Sequence, residues 1–156
     1  MQGLFEHSDY LTSPYEAFLF DTTKASYPVK NHWHYFCEIL YVKEGTASIQ
    51  CNEYHYAIDS GDFVFFHPQA LHAIYGDTAA KFYVIKFDLA LLKMTSSHMP
   101  GFQKIILSAL GDKNAPIVIK AGNFDDGYLE HLFQIVRLMR KNTDTIYVSR
   151  PICLTY

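Results

Sequence analysis

Between Tyr15 and Phe87 the chain cannot run far in one direction, because turn-forming residues interrupt it roughly every 8–12 residues. The interruptions are Lys43-Glu44-Gly45, Asn52-Glu53, Asp59-Ser60-Gly61-Asp62, Pro68 and Gly76-Asp77. The stretches between them are short, apolar and rich in aromatic and β-branched residues, which suit a pleated, half-buried surface. They predict strands over residues 16–21, 38–42, 46–51, 54–58, 63–66, 72–75 and 81–87. Short strands at this spacing indicate a sandwich or barrel, not alternating βαβ units. Tyr and Phe number 12 each and aromatics make up 16% of the chain, which suits such a core and could also line a small-molecule pocket.

The pattern changes after Asp88. Residues 89–93 and 102–110 read as short helical pieces, and Ile117, Val118 and Ile119 form a brief strand after Pro116. A longer helix is predicted over 124–141, capped by Asn123, with Asp125 and Asp126 at its positive end and Arg137, Arg140 and Lys141 at its negative end. Tyr128, Leu129, Leu132, Phe133, Ile135, Val136 and Met139 form a wide apolar stripe on it, suited to the barrel or to a partner subunit. The apolar end at Leu154-Thr155-Tyr156 carries no capping residue and is read as leading into a segment absent from this chain.

At 156 residues and 49% hydrophobic, the chain has the size and apolar content of one folded domain. No uninterrupted run of about 18 apolar residues could cross a bilayer, and the start lacks a basic-then-apolar leader. Three scattered cysteines, Cys37, Cys51 and Cys153, make no even disulfide framework, so a cytoplasmic location is expected. With 13 basic and 16 acidic side chains the net charge is −3, the wrong sign for gripping DNA unaided.

The residues that carry chemistry are His32, His34, Glu38 and His72. Histidines at i and i+2 on a strand project to one face. Glu38 has the same parity, but a straight strand would leave it about 13 Å from His34. The chain must therefore bend at Tyr35-Phe36-Cys37 if the two are to meet, and His72 must return from an adjacent strand. Three neutral imidazoles and a carboxylate would suit Zn, Ni, Mn or Fe. The alternative is a set of hydrogen-bonded polar groups in a pocket without an ion. Cys37 has the opposite parity and is expected to be a buried thiol, and Asp62 is expected to serve its turn.

The run His32-x-His34-x3-Glu38-x6-Gly45, followed by Gly61-x5-His67-x-Gln69-x2-His72, resembles the paired motifs of the cupin superfamily. The first motif fits throughout. In the second, His67 stands where proline is usual, Gln69 replaces the usual glycine, and Gly76 stands where asparagine is common. Within that superfamily, His-Trp-His-x3-Glu-Ile-Leu-Tyr-Val-x2-Gly and Gly-Asp-Phe-Val-Phe-Phe-His-Pro-x3-Leu-His resemble the N-terminal effector domain of AraC-type transcription regulators.

The resemblance implies a mostly β fold, a cupin-like β-barrel (double-stranded β-helix) followed by C-terminal α-helices. Residues 1–122 would form the effector-sensing barrel and 123–156 a helical dimerisation segment. DNA would be contacted only through a helix-turn-helix domain that this chain lacks. The expected partners are a small-molecule effector (a sugar or other metabolite) and a second copy of the chain in a homodimer, with no membrane. His32, His34, Glu38 and His72 would contact the effector, with or without a divalent transition metal. The competing expectation is a free-standing metal-dependent cupin enzyme, a dioxygenase or isomerase, using the same four side chains. No Ser-His-Asp order, nucleophile turn or phosphate-cradling glycine loop points to other chemistry.

Overall fold

The computed structural model describes residues 4–6, 15–76, 79–88 and 115–123. Among the described residues, strands β1 (Tyr15–Asp21), β2 (Val29–His32), β3 (Cys37–Glu44), β4 (Thr46–Cys51), β5 (Tyr54–Asp59), β6 (Phe63–Phe66), β7 (His72–Tyr75), β8 (Lys81–Phe87) and β9 (Ile117–Ile119) form two antiparallel sheets. The first sheet has the order β1-β8-β3-β6-β9 and the second β2-β7-β4-β5. The expectation of a mostly β chain of short strands therefore holds. Strands at 46–51, 63–66, 72–75, 81–87 and 117–119 have the bounds read from the sequence; β1 and β5 each run one residue longer and β3 three. Strand β2 was not foreseen, because Lys30 and Asn31 hide it in polar sequence; it pairs with β7 through an irregular register between Val29 and His32. The helices expected at 89–93, 102–110 and 124–141 lie outside the described residues.

Register explains where polar groups end up inside. Across the first sheet, Phe20, Phe82 and Val42 lie abreast, then Phe18, Val84, Leu40 and Val64, then Glu16, Lys86, Glu38 and Phe66. Across the second sheet, Val29, Ile74 and Ile49 lie abreast, and the next rank is His32, His72 and Cys51. The apolar ranks of the two sheets form one core, with Leu40, Val42, Ile49, Ile58, Phe66 and Phe82 fully enclosed. At one end the ranks turn polar on both sheets, and the histidines of one approach Glu38 of the other. The alternation that buries the core thus also buries the charges.

Two turns brace this frame. Gly45 joins β3 to β4 at φ +81°, and a Cβ there would stand 2.9 Å from the Ala80 Cα, so both conformation and space require glycine. Asp62 does more than serve its turn: its carboxylate accepts from the Asp59 and Ala121 amides at 2.8 and 2.9 Å and from Lys120 at 2.7 Å. It thereby fastens the residues following β9 to the barrel.

Candidate functional site

His32 ends β2, and the chain then leaves the sheet. His34 lies in the bend before β3, not on a strand, which corrects the expectation that both histidines share one. The bend itself is the one required by Glu38. It brings the His34 Nε2 to 3.0 Å from the Glu38 Oε2, despite the distance a straight strand would impose. The His34 backbone is fixed from across the fold by the Gln69 amide, which donates to its carbonyl at 2.7 Å. Gln69 does so at φ +67°, the left-handed conformation that explains why glycine is usual at this motif position. His72 arrives on β7, abreast of His32, with ring centroids 4.2 Å apart and its other face stacked on Phe66 at 4.2 Å.

The four residues are all buried, and one donor atom from each lies within 4.8 Å of the others. Each histidine is anchored in the same way. The Nδ1 atoms of His32, His34 and His72 lie 2.9, 2.9 and 2.8 Å from the carbonyls of Lys30, Phe36 and Ala70. A carbonyl only accepts, so the Nδ1 atoms of His32 and His72 bear the proton and their Nε2 atoms offer lone pairs inward. The His72 Nε2 is buried with no hydrogen-bond partner among the described residues, 3.9 Å from the Glu38 Oε2. A buried unpaired acceptor costs about 1–3 kcal/mol. His34 has an acceptor at both ring nitrogens, the Phe36 carbonyl and the Glu38 carboxylate, so its Nε2 would serve an ion only by giving up its contact with Glu38.

Converging lone pairs and a carboxylate call for a cation, either a proton or a metal ion. Donors bonded tetrahedrally to one ion at about 2.1 Å stand about 3.4 Å apart. The four donor atoms here lie within 4.8 Å of one another, so the residues present fit a metal once they close by about 1.4 Å. The backbone carbonyls on the Nδ1 atoms are the outer partners that metal-binding histidines use to fix ring and tautomer.

Charge separates these groups. Burial holds His72 well below the ordinary histidine range, with His32 adding to the shift and Glu38 opposing it. His32 is lowered too, by burial first, against Glu38 and Glu6. Burial alone would push Glu38 up, but the Lys86 ammonium at 3.6 Å and the His34 contact hold it well below the carboxylate range.

A pH dependence follows for the metal-free chain. Unfolded histidines take up protons near 6.5, whereas native His32 and His72 refuse them. Stability therefore falls as pH drops below about 6.5, and Glu38 adds a further loss below about 4.5. On the alkaline side, burial pushes Cys37 up to about 12 from 9.0, so its contribution is lost as pH rises above 9.0. Urea midpoints in chelator at pH 7.5, 6.5 and 5.5 check this; a midpoint flat or rising toward pH 5.5 contradicts it.

Two charged members of this end were not foreseen. Lys86 is 7% exposed and points from β8 toward Glu38. Its Nζ lies 2.7 and 2.9 Å from the two carboxylate oxygens of Glu6. Burial pulls the ammonium down, but Glu38 and Glu6 outweigh it and hold it above the ordinary lysine range. The alternation of Phe82, Val84 and Lys86 was a signal in the sequence, but the opposite face of β8 is also apolar. Among the other histidines, His67 is buried against Phe65 and lies outside the cluster of four, and His55 is exposed.

The model of the AraC-like ligand binding domain family matches residues 17–147. No curated protein matches the sequence. Among solved structures, ToxT from Vibrio cholerae strain SCE256, with unsaturated fatty acid bound, aligns with 84% of this chain and 48% of its own at TM-score 0.57 and 13% identity. ToxT from Vibrio cholerae O395, bound to (E)-4-(8-methylnaphthalen-1-yl)but-3-enoic acid, aligns with 88% of this chain and 51% of its own at TM-score 0.55 and 14% identity. At these identities the likeness shows the fold alone, and the chain spans about half the length of these proteins. No helix among the described residues is long and apolar enough to cross a membrane.

Proposed function

The chain belongs to the AraC-like ligand binding domain family, and from that premise we propose that its barrel senses a small-molecule effector for a transcription regulator through His32, His34, Glu38 and His72. The observation that carries this reading is the buried His72 Nε2, which has no hydrogen-bond partner among the described residues, beside the Glu38 carboxylate. An incoming donor or cation removes the cost of that orphan, which couples occupancy to the stability of the barrel. The organic acids bound to ToxT support a small-molecule occupant of this fold.

A divalent ion such as Zn, Ni, Mn or Fe fits as part of the site, held by the three Nε2 atoms and Glu38. When bound, it would supply a positive centre that orients an oxygen-bearing ligand. The residues themselves position the ligand, since their rings are locked by Lys30, Phe36 and Ala70 and little remains to reorganise. The family is one of ligand-binding domains, which favours sensing over the alternative of a metal-dependent enzyme. The net charge of −3 supports assigning DNA contacts to a separate domain. The apolar stripe within 123–156 supports dimerisation through that segment, with 1–122 as the sensing unit.

A thermal-shift screen of sugars and other metabolites against the wild type and Glu38→Gln tests this reading. A compound should stabilise the wild type and bind Glu38→Gln about ten- to hundredfold more weakly, as expected for loss of a charged hydrogen bond. Equal binding to both chains, or consumption of the compound, contradicts it.

A further inference from the structure

The ion pair between Glu6 and Lys86 joins the polar end of the barrel to a segment outside the two sheets. Leu4, Phe5 and Glu6 run beside Trp33, with the Glu6 amide donating to the Trp33 carbonyl and the Trp33 amide to the Leu4 carbonyl, each at 2.9 Å. The Phe5 ring lies 4.7 Å from Trp33 and 5.4 Å from Tyr35. From this position Glu6 reaches in to Lys86. Its Oε2 lies 3.4 Å from the His32 Nε2, whose proton is on the other nitrogen, so two lone pairs face each other there. The Glu6 side chain is therefore held by Lys86 and opposed by His32.

We propose that the Lys86 ammonium is a carboxylate seat, filled by Glu6 in this structure and open to the carboxylate of an organic-acid effector. This rests on the reading of the polar end as an effector site and specifies the ligand class. Charge conservation selects the ligand class. A buried ammonium needs an anionic partner, and exchanging one carboxylate for another leaves the buried charge unchanged. A neutral ligand displacing Glu6 would leave Lys86 facing Glu38, whose Oε2 is 3.6 Å away and is also in contact with His34 at 3.0 Å. An amine would place a second cation beside Lys86. Of the three classes, a carboxylic acid alone takes over the contact that Glu6 gives up. Entry of the acid would also free the segment bearing Leu4, Phe5 and Glu6, so binding would be read out as release of that segment from Trp33.

Chemical rescue tests the seat without knowledge of the effector. Glu6→Ala should lower Tm by roughly 5–10 °C, as expected for removing the partly buried partner of a buried ammonium that retains Glu38. Acetate should restore several degrees of that loss, whereas acetamide or chloride at equal ionic strength should not. The Glu6→Ala/Lys86→Met chain should show no response to acetate. If Glu6→Ala does not fold, Glu6→Gln replaces it in the same comparison. Acetate acting like chloride, or acting equally on the double variant, overturns the proposal. Failure of acetate while a compound still distinguishes wild type from Glu38→Gln would remove the carboxylate seat and leave the sensing reading in place. Rescue without any recognised compound would do the reverse.

Discussion

Lys86→Met is expected to destabilise the chain by about 3–5 kcal/mol, the range for removing one partner of a buried ion pair. The substitution keeps an unbranched apolar stem of similar size, so packing beside Phe18 changes little. It leaves Glu6 and Glu38 without the ammonium that stands 2.7 and 3.6 Å from them, with Glu16 abreast on β1. At about 2–4 °C per kcal/mol for a chain of this size, Tm should drop by roughly 10 °C. Adding Glu6→Gln should recover part of the loss by removing one uncompensated negative charge. Denaturation of the three chains at neutral pH measures both effects. A Lys86→Met chain within about 0.5 kcal/mol of wild type would match an exposed lysine and contradict the burial assigned here.

The arrangement combines a rigid interior with a replaceable contact. All three histidines are fixed by backbone carbonyls, His32 and His72 also by abreast positions in their sheet, and Glu38 lies centrally between β8 and β6. Glu6, by contrast, comes from outside both sheets. A sensor needs both features: a preorganised set of groups that selects the ligand, and an element whose position changes when the ligand arrives.

Much of this was legible in the sequence, for identifiable reasons. Turn residues fixed the strand bounds because Gly45 and Gly61 occupy positive-φ conformations that end strands sharply. The four site residues were legible because the motif preserves their spacing, and the need for a bend before Glu38 followed from strand rise alone. The placement of His34 in that bend was not legible, since the parity argument works equally well for a strand. Strand β2 was missed because its stability comes from pairing with β7 and not from its own composition. Lys86 was missed because β8 is apolar on both faces, so alternation did not say which face was inside. Glu6 was missed because its approach depends on a single parallel bridge at Phe5 and Trp33, which local pattern cannot reveal.

Convergence of His32, His34, Glu38 and His72 on one point is the central claim, and zinc is a direct probe of it whatever the natural occupant. The wild-type chain, freed of metal, should bind one zinc ion in competition with a chromophoric chelator. Loss of an outer hydrogen-bond partner typically lowers metal affinity about 10–100-fold, so removing a donor should cost at least about 100-fold. His72→Ala is the sharpest variant, because the His72 Nε2 is the donor with no hydrogen-bond partner in the described structure. Cys37 has the opposite parity to Glu38, and Cys51, although abreast of His72, falls outside the donor cluster, so neither is expected to substitute. The predicted result is stoichiometric zinc binding by wild type and an affinity at least about 100-fold weaker for His72→Ala. A wild type that takes up no zinc, or a His72→Ala chain that binds it as tightly, would contradict the convergence on which this account rests.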